Sequence, residues 1–193
     1  IKEIILGQIS QDQFDVVANP EFLREGSAIN DFMRPDRVVI GTDSKKSEKI
    51  MKEIYRPLYL LDTPIVSTSI ETAEMIKYAS NSFLATKISF INEVADLCEA
   101  VGANVKDVAK AMGLDKRIGS KFLHAGPGFG GSCFPKDIKA FSVTAKKFDV
   151  NLSIVNAVNL SNRARPLRIS SKISKYYDDD LKNVTLTILG LSF

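Results

Sequence analysis

A glycine-rich stretch that ends in a cysteine carries the strongest chemical signal in this sequence. Residues 124–137 read HAGPGFGGSCFPKD, with four glycines ahead of Cys133. Glycine permits backbone angles and close ligand approach that other residues block. Pro135 suits the first turn of a helix, so we expect Cys133 near a helix N-terminus, where partial positive charge favours a thiolate. Lys136 adds positive charge, which makes Cys133 a candidate nucleophile; a small buried thiol in a turn is the alternative.

A second candidate is the pair Lys77 and Asn81 in the segment EMIKYASNS. Residues four apart on a helix lie on one face, one turn from each other. An ammonium group and an amide directed at one point can hold a developing oxyanion. For this pair taken alone, a solvated helix face is the alternative.

The third candidate is the acid pair in NPEFLREG, Glu21 and Glu25. The two acids follow a predicted strand over residues 14–20, and open α/β sheets bind ligands beyond their strand ends. Acids placed there can serve as a general base and a water-positioning group. Two solvated acids in a surface loop are the alternative.

Three further residues carry weaker signals. Cys98 belongs to an apolar stripe, which favours a core thiol. His124, the single histidine, lies beside the glycine-rich stretch and has either a ligand-contacting or a structural role. Arg117 in DKRIGSKFL could bind a phosphate through two hydrogen bonds, with a surface ion pair as the alternative.

Composition limits the possible function classes. Of the 193 residues, 45% are hydrophobic and 25% charged, which is ordinary globular composition. The net charge of +3 is small and its lysines and arginines are scattered among acids, so we expect no nucleic-acid partner. Two widely separated cysteines predict neither a disulfide framework nor a metal site. With no long apolar run and no signal-peptide pattern, we expect no membrane partner and a cytoplasmic location.

The elements that must position these residues begin with α/β units. Short apolar segments predict strands at residues 14–20, 36–42 and 63–68, and a helix is predicted from Ser47 to Leu60 after a serine cap. Strands that alternate with helices favour a parallel sheet with covered faces.

A long helix follows. Thr68 and Glu71 form a predicted capping box, no glycine or proline occurs before Val101, and Gly102 supplies the stop. Such a helix would be roughly 50 Å long. It would bridge two lobes or pack against a second subunit through an apolar stripe of Ile76, Phe83, Leu84, Ile88, Ile91, Val94, Cys98 and Val101.

The remainder predicts shorter helices and one strand. Helices are expected from Asn104 to Gly113, from Asp137 to Phe148, and from Ser153 to Tyr177 with an interruption at Pro166. The final segment, NVTLTILGLSF, predicts a buried strand that has no neighbour to pair with. We therefore expect the chain to be a piece of something longer.

Taken in order, these stretches resemble the UDP-glucose/GDP-mannose dehydrogenase family. The resemblance runs from about residue 14 to the C-terminal LGLSF, and the cysteine segment is its most specific motif. RIGSKFL favours the branch that acts on UDP-glucose over the GDP-mannose and UDP-N-acetylhexosamine branches. The other matching segments are NPEFLREG, PDRVVIGTD and EMIKYASNSFLATKISFINEVADLCE.

The resemblance implies a role for each catalytic candidate. Cys133 matches the nucleophile of a four-electron, NAD-dependent oxidation, and Asp137 matches the acid beside it. Lys77 and Asn81 match the pair that steadies an oxyanion. Glu21 and Glu25 match the loop acids, one of which serves acid–base steps and thioester hydrolysis. Matches to substrate contacts are Phe22, Leu23, Arg24, Arg117, Phe122, Leu123, His124, Gly126, Gly128, Phe129 and Gly130, and matches to cofactor contacts are Glu25, Cys133 and Lys136.

The resemblance also implies a fold and partners. It predicts the end of an NAD-binding Rossmann-like domain at 1–67 and a central helical domain at 68–177, like the C-terminal domain of 6-phosphogluconate dehydrogenase. Residues 178–193 would be the first strand of a nucleotide-sugar domain. UDP-glucose and NAD are the expected ligands, with no metal, and the long helix is expected to form a homodimer or a higher oligomer.

Two rival functions remain at this point. One is a sister dehydrogenase that acts on GDP-mannose or a UDP-N-acetylhexosamine. The other is a non-catalytic module whose work is dimerisation. No G-x-G-x-x-G follows a strand in this sequence, because the run GPGFGG has no strand ahead of it. We therefore expect the chain by itself to turn over little or nothing.

Overall fold

The computed structural model describes residues 1–190, apart from the side chains of residues 59–61. The chain divides into two compact units, Ile1–Ala79 and Ser80–Phe193. The predicted domain limits at 67/68 and 177/178 stay a prediction. The helices are α1 (Lys2–Leu6), α2 (Ala28–Met33), α3 (Lys45–Ile54), α4 (Ile70–Val101), α5 (Val105–Leu114), α6 (Phe134–Lys147) and α7 (Ser153–Tyr176), and the strands are β1 (Val38–Gly41) and β2 (Ile65–Thr68).

The first unit contains a two-stranded parallel sheet. β1 pairs with β2 in a register that runs from Val38 opposite Ile65 to Gly41 opposite Thr68. The predicted strands at 36–42 and 63–68 are thereby confirmed, and so is the parallel pairing. All four residues of β1 are buried, and Val38, Ile40 and Leu58 form the core of this unit.

The predicted strand at residues 14–20 is wrong. Only Ala18 pairs with the sheet, through an isolated antiparallel bridge to Gly41. Side chains replace the ladder elsewhere: the Asn19 amide donates to the Val39 carbonyl at 2.7 Å, and the Thr42 hydroxyl donates to the Val16 carbonyl at 3.3 Å. The segment is held against β1 without becoming a strand.

Helix α3 begins earlier and ends earlier than the sequence predicted. The hydroxyl of Ser44, and not that of Ser47, caps it by accepting the Ser47 N–H at 3.2 Å. It ends at Ile54, and a 3₁₀ segment from Arg56 to Leu61 follows. Pro57 explains the break, because proline disfavours the α conformation of the residue before it.

Helix α4 confirms the long helix but not its predicted cap. It has 32 residues and begins at Ile70, where the Ser69 hydroxyl accepts the Thr72 N–H at 3.2 Å. Thr68 is taken by β2, so the Thr68 capping box is wrong. The helix ends before Gly102, which has a φ of +74°; glycine reaches this left-handed region without strain.

The apolar residues of α4 occupy more than one face. Ile91 and Cys98 are buried as expected, whereas Phe83 and Val101 of the predicted stripe are each 66% exposed. Phe83, Phe90 and Leu97 are spaced by seven residues and form a second, exposed apolar row. Phe83 and Val101 are therefore exposed within this chain, and packing of the stripe against a second subunit stays a prediction.

The later helices differ from expectation mainly at their ends. Asn104 caps α5 by accepting the Lys106 N–H at 2.9 Å, as predicted. Helix α6 begins at Phe134, before the predicted Asp137. Helix α7 runs unbroken through Pro166, so the predicted interruption is wrong.

Ion pairs to α4 on both sides of Pro166 explain why α7 continues. Arg165 lies 2.6 Å from Asp96, and Lys172 lies 2.5 Å from Glu99. A proline inside a helix costs about 3 kcal/mol. Contacts that fix the helix before and after the proline oppose a break at that point.

The predicted C-terminal strand is not formed within the described residues. Residues 184–190 lie outside any strand, and residues 191–193 lie outside the description. A strand needs a neighbour to satisfy its backbone groups, and nothing in the described chain pairs with this one. Among the described residues, no helix combines the length and the apolar character that crossing a bilayer requires.

Close packing of β1 on the start of α4 yields a stability prediction. A Cβ added at Gly41 would lie 2.5 Å from the Ala73 Cβ and 2.7 Å from the Ser69 carbonyl oxygen. We expect Gly41→Ala to lower the free energy of unfolding by about 1–3 kcal/mol, measured by urea denaturation with far-ultraviolet circular dichroism. Gly7→Ala is the control, since a Cβ there would lie 3.4 Å from the Ile4 carbonyl oxygen, an ordinary van der Waals contact. Equal effects of the two substitutions would contradict the packing argument.

Candidate active site

Cys133 is the N-cap residue of α6, which confirms the predicted position at a helix N-terminus. Pro135 lies in the first turn, also as predicted. The thiol is half-buried, with the Ser132 hydroxyl 3.6 Å from its sulfur. The Cys133 carbonyl accepts the Asp137 N–H at 2.9 Å, the first bond of the helix. The backbone thus fixes the sulfur beside the helix end.

Asn81 and Asp137 form a buried hydrogen bond that joins α4 to α6. The Asn81 amide nitrogen donates to Asp137 Oδ2 at 2.7 Å, and the two residues are only 7% and 5% exposed. Lys136 Nζ lies 3.4 Å from the other oxygen of Asp137. An amide nitrogen carries two hydrogens, so one of them goes to Asp137. The second is the one that could reach an oxyanion.

Lys77 and Glu21 meet within the first unit. Lys77 Nζ donates to the Glu21 carbonyl at 2.5 Å and to its carboxylate at 3.1 Å. The ammonium group also lies 5.4 Å from the centre of the Phe22 ring. The side chain of Lys77 is 17% exposed, so the cation is largely desolvated and held by three groups of one loop.

The loop that carries the two acids is anchored at several points. Asn19 accepts the Tyr55 hydroxyl at 2.6 Å while its amide binds β1. The Arg37 guanidinium lies 3.6 Å over the Phe22 ring, a cation–π contact. Glu21 accepts the Leu23 N–H at 2.7 Å. Sequence analysis did not single out Arg37, Asn19 or Tyr55 as anchors, because their partners lie far away along the chain.

Arg24, predicted to contact substrate, pairs with Asp31. The Arg24 guanidinium donates to both carboxylate oxygens, at 2.9 and 2.5 Å, and the Arg24 N–H adds a third bond at 2.9 Å. These side-chain and backbone hydrogen bonds lower the pKa of Asp31 to about 2. Glu25 follows in an exposed turn, ahead of Gly26 with a φ of +81°.

Three polar side chains, Asn92, Asn162 and Arg165, hydrogen-bond the glycine-rich loop, and Asp96 pairs with Arg165. Sequence reasoning missed all four residues. Their pattern gave a faint signal: Asn92 and Asp96 are four apart on α4, and Asn162 and Arg165 are three apart on α7. Each pair therefore shares a helix face. Polar residues that interrupt apolar faces can mark such contacts, but nothing in the spacing shows what they bind.

Aromatic packing continues from this loop into α6. The Phe134 ring lies edge-on to the Phe129 ring at 5.9 Å and to the Phe122 ring at 6.2 Å. Leu123 is 3% exposed, whereas His124 is exposed. The predicted substrate-contacting segment thus contains one residue of the buried core and others on the surface.

Arg117 forms the surface ion pair. Its guanidinium donates to Asp115 at 2.6 and 3.0 Å, and its side chain is 89% exposed. The hydrogen bond from Arg117 lowers the pKa of Asp115, and the pKa of Arg117 rises in return. The phosphate-binding role of Arg117 stays a prediction.

Comparison with known proteins places this geometry in a family. The NAD binding domain of the UDP-glucose/GDP-mannose dehydrogenase family matches residues 1–59, and the central domain of the same family matches residues 71–164. The chain belongs to this family. The predicted fold class, a Rossmann-type α/β remnant followed by a helical domain with one long helix, is confirmed.

Matches to individual proteins lead to the same family. The chain is 55% identical over 180 residues to a UDP-glucose 6-dehydrogenase of Rickettsia conorii, covering 93% of this chain and 41% of that protein. The structure of a UDP-glucose dehydrogenase from Pyrobaculum islandicum matches with a TM-score of 0.82 at 42% identity, covering 86% of this chain and 38% of that one. A UDP-D-ManNAc dehydrogenase from Pyrococcus horikoshii matches with a TM-score of 0.78 at 25% identity, covering 91% and 40%. The chain thus spans about two fifths of the length of the relatives it matches.

The Arg24–Asp31 pair yields a prediction of pH dependence. A carboxylate whose folded pKa is below its unfolded value stabilises the fold above the unfolded pKa, and this contribution is lost as the pH falls through the folded pKa. For Asp31 the window runs from about pH 4 down to about pH 2. We expect Asp31→Asn to make the urea midpoint less dependent on pH in that window.

The matched control for Asp31→Asn is Glu53→Gln, which removes an exposed carboxylate 3.7 Å from Arg56. Exposed pairs contribute little to stability, so this variant should follow the parent curve. A pH dependence of Asp31→Asn identical to that of the parent would show that the pair has no linkage to folding.

Proposed function

We propose that the full-length protein containing this chain oxidises the primary alcohol of UDP-glucose to the acid, with two molecules of NAD+ as hydride acceptors. The observation that carries the proposal is the placement of Cys133 at the N-terminus of α6, one turn before the Asn81–Asp137 bond. The 55% identity to a UDP-glucose 6-dehydrogenase supports the substrate.

We infer from the family resemblance that this chain supplies some of the cofactor contacts. Glu25, Cys133 and Lys136 match the family's cofactor contacts, and Lys136 lies next to the buried Asp137. The run GPGFGG matches G-x-G-x-x-G in its letters, but no strand precedes it, so it is not a dinucleotide fingerprint. NAD+ supplies the hydride-accepting chemistry when bound.

Cys133 makes the second oxidation, from aldehyde to acid, possible. An aldehyde has no tetrahedral carbon from which a hydride departs readily. The Cys133 thiolate adds to the aldehyde carbon, forming a C–S bond and turning the carbonyl oxygen into an oxyanion. Loss of a hydride from that carbon restores the C=O bond and leaves a thioester. Attack by water then breaks the C–S bond, releasing the acid and regenerating the thiol.

The remaining residues hold charge and move protons. Lys77 and the free hydrogen of the Asn81 amide stabilise the oxyanion, which is typically worth a few kcal/mol per well-placed donor. Glu21 or Glu25 takes the proton from the alcohol and directs the attacking water. Asp137 orients the Asn81 amide through their hydrogen bond.

UDP-glucose is favoured over UDP-D-ManNAc by similarity. Identity is 55% and 42% to proteins named for UDP-glucose, against 25% to the one named for UDP-D-ManNAc. A homodimer is also part of this proposal, because the exposed row of Phe83, Phe90 and Leu97 on α4 would be covered by a second copy. We place the protein in the cytoplasm, consistent with two free cysteines.

Cys133→Ser in the full-length protein tests the proposed function. With NAD+ and UDP-glucose, we expect acid production to fall by roughly three orders of magnitude or more, because the weaker oxygen nucleophile forms the covalent intermediate poorly. Acid is measured by chromatography and NADH by absorbance at 340 nm.

Two controls accompany that experiment. Cys98→Ala removes the other thiol, which is buried in α4, and should leave the rate within a few-fold of the parent. The 193-residue chain alone should produce no NADH. Full-length protein that makes no acid from UDP-glucose refutes the proposed substrate, and assays with GDP-mannose and UDP-N-acetylhexosamines then distinguish a sister enzyme from a dimerisation module.

Lys77 provides a second test. We expect Lys77→Ala to lower kcat by about 10²–10³-fold, the usual effect of removing one oxyanion donor. Lys52→Ala is the matched control, since Lys52 forms an exposed pair with Glu48 at 2.6 Å on α3. Equal rates for the two variants would remove Lys77 from the reaction.

A further inference from the structure

The glycine-rich loop is bound at two residues through both of their backbone groups. The Gly126 N–H donates to Asn92 Oδ1 at 2.7 Å, and the Gly126 carbonyl accepts Arg165 Nε at 3.1 Å. The Phe129 N–H donates to Asn162 Oδ1 at 2.8 Å, and its carbonyl accepts Asn162 Nδ2 at 2.9 Å. Four side-chain hydrogen bonds therefore hold a segment that its glycines would otherwise leave flexible.

The side chain of Asn162 also occupies the space in which a side chain at residue 128 would lie. A Cβ at Gly128 would lie 2.6 Å from Asn162 Oδ1, and Gly128 has a φ of +113°. A side chain at residue 128 would thus be blocked by sterics and by backbone strain together. Because residue 128 is a glycine, the loop approaches α7 closely. Asn162 can then bind both the N–H and the carbonyl of Phe129.

Arg165 is fixed by charge. Its side chain and that of Asp96 are each 11% exposed, and Arg165 NH1 lies 2.6 Å from both carboxylate oxygens. Arg168 adds a contact to Asp96 at 3.0 Å. Both Asp96 oxygens bind the same Arg165 nitrogen where little solvent reaches, which holds the Arg165 side chain in one conformation. The Nε–H therefore points at Gly126 with little freedom.

The bound loop leads directly to Cys133. Phe129 lies four residues before Cys133. The Phe129 ring packs edge-on against Phe134, the residue directly after Cys133. Fixing the Phe129 backbone consequently fixes the approach to the N-terminus of α6.

We infer that Asn162 and Arg165 are positioning residues of the reaction: they hold the backbone of residues 126–131 in the shape that receives the nucleotide sugar. This inference rests on the proposed function. Neither side chain needs to touch the substrate, because both act through the main chain of the loop. A loop that is ordered before binding spares the substrate the free-energy cost of ordering it.

Asn162→Ala in the full-length protein tests this inference. We expect kcat/KM for UDP-glucose to fall about 10²-fold, with KM rising at least tenfold, because a small misplacement of a binding element costs about that much. Amide hydrogen exchange in a peptide spanning residues 126–131 should accelerate at least tenfold. Exchange in α3, far along the chain, should not change.

Ser161→Ala is the matched control. Ser161 precedes Asn162 on α7, and its hydroxyl donates to Glu93 of α4 at 2.7 Å without touching the loop. It therefore removes a hydrogen bond between the same two helices. Equal kinetic and exchange effects of the two variants would mean that Asn162 only joins the helices, which overturns the inference.

Two further variants guard against misfolding of Asn162→Ala. Asn162→Asp keeps the volume and the acceptor for the Phe129 N–H but loses the donor. Arg165→Lys keeps the charge near Asp96 but cannot hold Gly126 through the same planar group. Each should raise KM and loop exchange more than Ser161→Ala does, and failure of both to do so overturns the inference.

The exchange measurement also separates this inference from the proposed function. Parent protein that produces no acid from UDP-glucose defeats the proposed function and with it the kinetic role of Asn162. Active parent protein combined with unchanged KM in Asn162→Ala defeats the positioning role alone. Unchanged loop exchange in folded Asn162→Ala defeats the anchoring itself, whatever the substrate.

Discussion

The hydrogen bond between Asn81 and Asp137 is the constraint on which the cysteine site depends. Both groups are buried, and a buried polar group left without its partner costs about 1–3 kcal/mol. The bond ties α4 to the first turn of α6, whose N-cap residue is Cys133. Moving the first turn of α6 away from α4 would stretch or break this bond. A polar contact between two helices thus sets the position of the proposed nucleophile.

Helix α4 carries more than this one contact. Lys77, Asn81, Asn92 and Asp96 follow one another at spacings of 4, 11 and 4 residues, and eleven residues make slightly more than three full turns. The four polar residues therefore share one side of a single helix. Its early part presents the proposed oxyanion donors, and its later part holds the glycine-rich loop through Asn92 and Asp96.

Local signals in the sequence were sufficient where one segment decides the structure. The glycines and Pro135 placed Cys133 at a helix end, and the absence of breakers revealed α4. Prediction failed where a contact with a residue distant along the chain determines the local structure. Ser69 caps α4 in place of Thr68, because Thr68 belongs to β2 and pairs with Gly41. Asn162 was missed because its partner lies 33 residues away, and no local pattern shows such a contact.

The most direct measurement is the mass of the peptide containing Cys133 in full-length protein that carries Glu21→Gln and Glu25→Gln. This protein is mixed with NAD+ and the 6-aldehyde of UDP-glucose, which bypasses the first oxidation and its need for an acid as base, and is then quenched in acid. Without the acids that direct water, the thioester should accumulate. We predict a mass increase of one UDP-glucuronyl group on Cys133 that hydroxylamine removes. If the protein still forms the free acid at the parent rate and Cys133 stays unmodified at every quench time, the account is contradicted.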